Sequence, residues 1–180
     1  QNREKTVPEL MIIAAKQMLG TDYVAGTLEQ IPEKLAVSLT QTDCILFVES
    51  CLAMALNAKN GLSDADEFCR TVQDLRYRNG KVDGYASRIH YTSEWIRQVK
   101  GNPSEIARIA AMEASLNKFH DYYVIAKEDV KGIEHLLMDG DILGFNTSVK
   151  GLDIAHVALV YHKENGEVGF IHASQADGKV

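Results

Sequence analysis

Helical and strand patterns occupy different parts of this chain, and their separation constrains the fold more than any other feature. Apolar residues recur at helical spacing in five segments, at about residues 8–19, 44–58, 65–76, 92–99 and 104–119. Strand patterns follow at 141–145, 156–161 and 168–172, and one short strand is predicted earlier, at 35–39. Helices followed by strands are typical of an α+β domain with a mostly antiparallel sheet.

The length of the chain fits a single domain. Its 180 residues, 46% of them hydrophobic, can bury a core without a disulfide scaffold. We expect one domain over 1–180, with a helical part to about 135 and a sheet part from about 136. The chain starts without a methionine and stops after a strand pattern, so we expect the natural chain to be processed or longer. No apolar run approaches the ~18 residues of a membrane span.

The acidic charge balance argues against nucleic-acid binding. Asp and Glu total 25 against 19 Lys and Arg, which gives a net charge of −6, whereas nucleic-acid binders need a basic face. Bases nevertheless outnumber acids between residues 70 and 88, where the bases are Arg70, Arg76, Arg78, Lys81 and Arg88. Two interpretations stay open for this segment: a receptor for a small anionic group, or a solvated surface.

Cys44 is the strongest candidate for chemistry. Thr40, Thr42 and Asp43 are helix-capping residue types directly before an apolar helix, which puts Cys44 in the first turn of that helix. Backbone N–H groups and the helix dipole stabilise an anion there, so we expect a lowered thiol pKa and a nucleophile. The alternative is a small buried hydrophobic residue. A disulfide to Cys51 is excluded because about two helical turns separate the two residues.

His156 and His172 are the histidines that could complete such a site. They lie on neighbouring predicted strands among small and apolar residues, and a nucleophilic cysteine needs a histidine base and a group that orients it. A zinc site is the competing interpretation, with Cys44 and both histidines joined by Asp43 or Asp141. The sequence has no CxxC or HExxH spacing, so neither a metal nor a cofactor is predicted.

The register of the last hairpin bears on this assignment. A two-residue turn at Asn165-Gly166 would place the two imidazoles on opposite faces of the sheet. For the rings to share a face and lie directly opposite one another, the hairpin needs an odd loop or a bulge, for which Gly169 is suited. We therefore predict such a feature between Tyr161 and Phe170, with both rings directed toward Cys44.

Several short segments occur in an order that one enzyme family shares. They are Asp43-Cys44, Gly140-Asp141-Ile142-Leu143-Gly144-Phe145, His156-Val157-Ala158-Leu159-Val160-Tyr161 and Ile171-His172-Ala173-Ser174. In this order they resemble the NlpC-type cell-wall cysteine peptidases, which are papain-like. The N-acetylmuramoyl-L-alanine amidase-like branch is more similar still, through Asp43 to Glu49, Gly84 to Tyr91 and Gly151 to Asp153. The resemblance implies a papain-like α+β fold with the nucleophile at the N-terminus of a buried helix packed on the sheet. The stretch between Cys44 and Gly140 is much longer than in the minimal domain of that family, so an extra helical insertion is expected there.

The resemblance also implies roles for particular residues. Cys44 is expected to be the nucleophile, His156 the base and His172 the orienting residue. The residues predicted to bind substrate are Asp43, Tyr85, Arg88, His90 and Tyr91. The implied activity is hydrolysis of an amide bond in peptidoglycan stem peptides or muropeptides, at the N-acetylmuramoyl–L-alanine or the D-glutamyl–diamino-acid bond. We expect a monomer in the periplasm or outside the cell; a non-catalytic peptide-binding module and a thioester-forming acyltransferase stay open as alternatives.

Overall fold

Two apolar helices pack together at the centre of the computed structural model, which describes residues 3–99, 124–150 and 152–180. Helix α1 spans Val7–Gln17 and helix α2 spans Cys44–Asn60. Leu10 of α1 belongs to the same core cluster as Phe47 and Leu52 of α2, both of which are fully buried. Because α2 is buried along most of its length and on most sides, it is the central helix of the core.

Helix ends lie where the sequence carries capping residues. The Asp43 side chain accepts a hydrogen bond from Leu46 N at 2.9 Å, which starts α2 at the predicted residue. Asp64 caps helix α3 (Ala65–Arg76) in the same way, and helix α4 spans Thr92–Val99. All three starts confirm the sequence prediction, and those of α2 and α3 could be predicted because capping depends on a few adjacent residues.

The strands form two separate sheets. Strands β1 (Asp22–Tyr23) and β2 (Gln41–Thr42) pair in parallel. After the short helix α5 (Val130–Ile133), an antiparallel sheet with the order β3-β4-β5 is made by Ile142–Asn146, Ile154–His162 and Val168–Ile171. The described structure is therefore mixed α+β with a small antiparallel sheet, as predicted. None of the helices in the described ranges is long and apolar enough to cross a membrane.

The antiparallel sheet packs on the helical core through β4. Val157 and Leu159 of β4 are buried in the same cluster as Phe47 of α2. Before β3, Gly140 lies so close to α1 that a Cβ atom on it would stand 2.6 Å from the Cα of Pro8. Its φ of +83° is a second reason for glycine at this position. This close approach brings the start of the sheet against the first turn of α1.

The last hairpin has the odd loop that the sequence predicts. His162 pairs with Val168, so the residues from Lys163 to Glu167 form the loop. The pairing continues regularly to Leu159 and Ile171, so the alternative of a bulge at Gly169 is wrong. Continued by one residue, this register sets His172 opposite Ala158, diagonal to His156 rather than directly across from it. Both histidines still share one face, because His156 and Ala158 are two residues apart.

The strand predicted at 35–39 is wrong. Residues in this segment form no ladder; Leu35 and Val37 pack against the core, while backbone carbonyls nearby accept bonds from side chains instead of from a strand. Tyr77 Oη donates to Lys34 O at 3.2 Å, and the Arg76 guanidinium donates to Ala36 O. The predicted helix at 104–119 lies outside the described residues.

Candidate active site

Cys44 is the first residue of α2, and its thiol is half-buried. Burial raises the pKa of the thiol above its ordinary value, and the negative charge of Asp43 adds to that shift. Backbone N–H groups of Val157, Ile45 and Cys44 itself act in the opposite direction without offsetting the burial. The prediction of a lowered thiol pKa is therefore wrong, because desolvation outweighs the helix start.

His156 and His172 are joined directly. His156 Nε2 and His172 Nδ1 are 2.7 Å apart, and the ring centroids are separated by 4.9 Å with the ring planes at 87°. One nitrogen donates and the other accepts, so the pair shares one N–H. Burial lowers the pKa of His156, and the neighbouring His172 lowers it further. Within the described residues, His156 Nδ1 makes no hydrogen bond.

Cys44 and His156 line one cavity of about 200 Å³. The backbone N–H of Val157, the residue after His156, interacts with the Cys44 thiol, which ties the start of α2 to β4. Other residues lining the cavity are Leu28, His90, Tyr91, Trp95 and Leu152. The structure thus brings the predicted nucleophile and base to the same cleft, with His172 behind the base.

The residues predicted to bind substrate take different positions. His90 and Tyr91 line the cavity. Tyr85 is exposed and does not line it; its ring stacks on His90 with 4.3 Å between centroids. Asp43 caps α2, and burial raises its carboxyl pKa. Of these four, His90 and Tyr91 are placed to contact a ligand. Asp43 instead caps α2, and Tyr85 packs against His90.

Three of the five bases in the basic segment are paired with carboxylates of the protein. Arg76 is buried against Glu49, with Nη2 and Oε2 2.6 Å apart, and Arg78 binds Glu94 at 2.6 Å. Arg88, only 5% exposed, forms ion pairs with two carboxylates from the loop before β2, Glu29 at 3.0 Å and Glu33 at 3.2 Å. Because Arg76, Arg78 and Arg88 already have carboxylate partners within the protein, these three guanidinium groups do not form the free anion receptor expected from composition.

We expect Arg88→Met to act mainly on stability. The Glu33 side chain is almost fully buried, and Tyr77 Oη donates to it at 2.8 Å. Without the guanidinium, this carboxylate stays buried with one neutral donor, at a cost of about 1–3 kcal/mol. Urea unfolding of the variant and the wild type measures the difference. Unchanged stability together with a raised KM would return Arg88 to the substrate-binding role.

Tyr23 is a neighbour of the site that the sequence does not reveal, although it does not line the cavity. It lies in β1, paired with Thr42 just before Asp43. Burial raises the pKa of its phenol, and electrostatic interaction with Cys44 and Asp43 raises it further. The hydroxyl is therefore protonated at neutral pH, and it interacts electrostatically with the start of α2. A two-residue strand carries no periodic pattern, so only the pairing of β1 with β2 shows this placement.

Asp153 and Trp95 also line the cavity and were missed. Asp153 is buried and accepts a bond from Ser93 N at 2.8 Å, which links the start of α4 to the start of β4. Trp95 is 4% exposed, and among the described residues its indole Nε1 has no hydrogen-bond partner. An unpaired buried donor costs about 1–3 kcal/mol. The segment Gly151 to Asp153 is one of those that resemble the amidase-like family, so this resemblance could have pointed to Asp153 as a site residue.

Comparison with known proteins identifies the family. The AmiA-like family model, described as N-acetylmuramoyl-L-alanine amidase-like, matches residues 13–108 and 97–180. The chain belongs to this family. A crystal structure of an N-acetylmuramoyl-L-alanine amidase from Bacteroides uniformis is similar, at 30% identity and a TM-score of 0.77 over 97% of this chain and 88% of that one. No protein with a curated description matches the sequence significantly.

Two further solved structures are similar to this member of the AmiA-like family. A Bacteroides fragilis protein, provisionally named a xylanase, shares 30% identity and a TM-score of 0.74 over 93% of this chain and 88% of that one. A Legionella pneumophila protein shares 15% identity and a TM-score of 0.69 over 98% of this chain and 81% of that one. At that identity the Legionella structure supports the fold alone.

Proposed function

We propose that this AmiA-like protein is a peptidoglycan hydrolase that uses Cys44 to cleave an amide bond in stem peptides or muropeptides. The observation that carries the proposal is one cleft holding Cys44 at a helix start and His156 hydrogen-bonded to His172. The family description and the Bacteroides uniformis amidase support the amide bond between N-acetylmuramic acid and L-alanine. The order Cys, His, His along the chain supports an NlpC-type, papain-like arrangement.

The resting site holds a neutral thiol and a neutral imidazole. Burial raises the pKa of Cys44 and lowers the pKa of His156, and both shifts disfavour the charged forms. In the productive tautomer, His156 Nε2–H donates to His172 Nδ1, and His156 Nδ1 is free to accept a proton. His172 thus fixes which nitrogen of His156 is basic. In this scheme the Cys44 proton moves to His156 as the sulfur attacks, rather than before substrate binds.

Charge that develops on the substrate oxygen has donors near the nucleophile. The backbone N–H of Cys44 is at the free end of α2, and the protonated Tyr23 hydroxyl, which interacts electrostatically with Cys44, is proposed as a second donor. As the tetrahedral intermediate collapses, the C–N bond breaks and the His156 imidazolium gives its proton to the leaving amine. His156 then takes a proton from water, which attacks the Cys44 thioester. The C–S bond breaks, the carboxylic acid is released, and His156 returns its proton to the Cys44 sulfur.

Mass spectrometry of purified muropeptides after incubation tests the proposal. Cleavage at the lactyl amide releases the complete stem peptide, whereas cleavage after D-glutamate releases a shorter fragment, so the masses identify the bond. We expect the reaction to proceed in EDTA, because the mechanism uses a thiol and imidazoles. No cleavage of any muropeptide by the folded protein would favour the binding module. Transfer to an added amine acceptor in place of hydrolysis would favour the acyltransferase.

Alkylation of the folded protein tests the neutral resting pair. A raised thiol pKa means that Cys44 is protonated near pH 6, so its reaction with iodoacetamide is expected to accelerate as pH rises from 6 to 9. Cys51 is fully buried, its pKa is strongly raised by burial, and it should stay unlabelled. Peptide mapping after brief labelling at each pH gives both rates. A Cys44 rate that is already maximal at pH 6 would instead indicate a preformed thiolate–imidazolium pair.

The site of action follows from the substrate. Peptidoglycan lies outside the cytoplasmic membrane, so we propose that the protein works in the periplasm or outside the cell. Fractionation of the producing cells followed by immunodetection tests this location. We also propose that the protein is a monomer, which sedimentation equilibrium tests.

A further inference from the structure

Two partly exposed phenylalanines close a ring of aromatic contacts around the histidine pair. Centroid distances are 5.6 Å from Phe145 to His156, 4.9 Å from His156 to His172, 5.1 Å from His172 to Phe170 and 5.6 Å from Phe170 back to Phe145. We refer to these four side chains as the aromatic tetrad. Each ring contacts two others, so the tetrad is a closed unit on one face of the sheet.

The sheet register accounts for the tetrad. Phe145 on β3 is directly opposite His156 on β4. Phe170 lies on β5, two residues before His172, so both side chains are on the same face. That face is also the face of His156, because the odd hairpin loop sets His172 opposite Ala158. Three different chain segments therefore deliver the four rings to one place.

The phenylalanines contribute little to the core. Phe145 is 38% exposed and Phe170 47% exposed, and neither packs against the core cluster of the described residues. Exposed apolar rings gain little from the hydrophobic effect. Their described ring contacts are with each other and with the two histidines. Both Phe145–Phe170 and Phe170–His172 meet edge to face, the geometry that aromatic pairs prefer.

We propose that Phe145 and Phe170 are positioning residues that hold the His156–His172 hydrogen bond in place and shield it from water. The proposal rests on the proposed role of His156 as the base. Rotation about χ2 of a histidine is soft, so a ring packed edge-on restricts His172 to the plane in which Nδ1 meets His156 Nε2. Loss of that contact frees His172 to rotate and exposes His156 to water.

Shielding has a measurable consequence for His156, since its pKa is lowered mainly by burial. His172, which also lowers the pKa of His156, belongs to the tetrad and moves with it. The other titratable and charged groups around His156 lie on elements that carry neither phenylalanine. They are Cys44 and Glu49 on α2, Arg76 at the end of α3, His90 and Tyr91 before α4, and Asp153 before β4. A change of titration in a phenylalanine variant therefore reports the tetrad.

NMR titration of the imidazole Cε1–H signals in the substrate-free protein tests the proposal. In Phe145→Ala and Phe170→Ala we expect the His156 pKa to rise by about half a pH unit, because removal of the ring rehydrates the imidazole. Phe145→Tyr and Phe170→Tyr keep the ring and should titrate like the wild type. Leu19→Ala removes another exposed apolar side chain, 58% exposed and located just after the end of α1, and should change nothing.

Two additional measurements separate the possible outcomes. Phe145→Leu and Phe170→Leu keep apolar bulk without the ring and replace the alanine variants if these do not fold. We expect the His156 pKa of the leucine variants to rise as well. For muropeptide hydrolysis, the acid limb of kcat/KM should move to higher pH with little change in KM. An unchanged His156 titration in both the alanine and leucine variants would overturn the proposal. The titration needs no substrate, so its result does not depend on whether the protein is a hydrolase. The hydrolase assignment is tested separately with Cys44 variants.

Discussion

Cys44→Ala is expected to lower kcat/KM for muropeptide hydrolysis by at least about 10⁴-fold. The substitution removes the sulfur that forms the thioester, and enzymes that lose a nucleophile retain only what binding and the oxyanion donors supply. Cys44 is half-buried at a helix start whose cap is the Asp43 side chain, so alanine keeps the helix and the fold. Initial rates with purified muropeptides, together with thermal unfolding, measure the effect.

Cys69→Ala is the matched control for this experiment. Cys69 is also half-buried and unpaired, but it lies on α3 and does not line the cleft. Its alanine variant should hydrolyse muropeptides at the wild-type rate. Wild-type turnover by folded Cys44→Ala would remove the cysteine mechanism, whatever bond is cut.

Arg76→Met is expected to lower the free energy of unfolding by about 3–5 kcal/mol at neutral pH. Glu49 is fully buried, and Arg76 binds its Oε2 through Nη2 at 2.6 Å and through Nε at 3.0 Å. Removing one member of a buried ion pair leaves an uncompensated charge, which costs far more than the intact pair contributes. Urea unfolding at pH 7 measures the loss.

The pH dependence of this variant has a defined sign. Burial already raises the pKa of Glu49 above its unfolded value of 4.5, and Arg76 is the group that lowers it. Without Arg76 the folded pKa rises further, so the destabilisation is smallest below pH 4.5 and grows as pH rises. The double variant Glu49→Met/Arg76→Met has no buried charge and should recover most of the loss. Equal destabilisation of single and double variants, independent of pH, would show that packing and not charge is responsible.

Features set by neighbours in the sequence could be predicted. The start of α2 at Cys44 follows from Asp43, whose carboxylate needs only a backbone N–H three residues away. The shared face of His156 and His172 follows from the two-residue period of strands and an odd loop. The diagonal offset between them did not follow, because the loop from Lys163 to Glu167 is fixed by its own hydrogen bonds.

Features set by distant residues could not be predicted. The sequence did not show that Arg88 is paired, because its carboxylate partners Glu29 and Glu33 lie more than fifty residues earlier. The pKa of Cys44 depends on burial beneath β4, which no local pattern encodes. Tyr23 is placed by a two-residue parallel pairing that has no periodic signal.

The end of the described chain returns to the strand that carries Tyr23. Tyr23 N donates to Gly178 O at 2.8 Å, and Val180 N donates to Thr21 O at 2.9 Å. These contacts join residues at opposite ends of the sequence, and such long-range closures form late in folding. During synthesis, β1 can therefore pair with β2 early, but it gains this second set of hydrogen bonds only after the residues around Gly178 have left the ribosome. The partner of the strand that leads into α2 thus acquires its last neighbour only when the chain has been synthesised to this point.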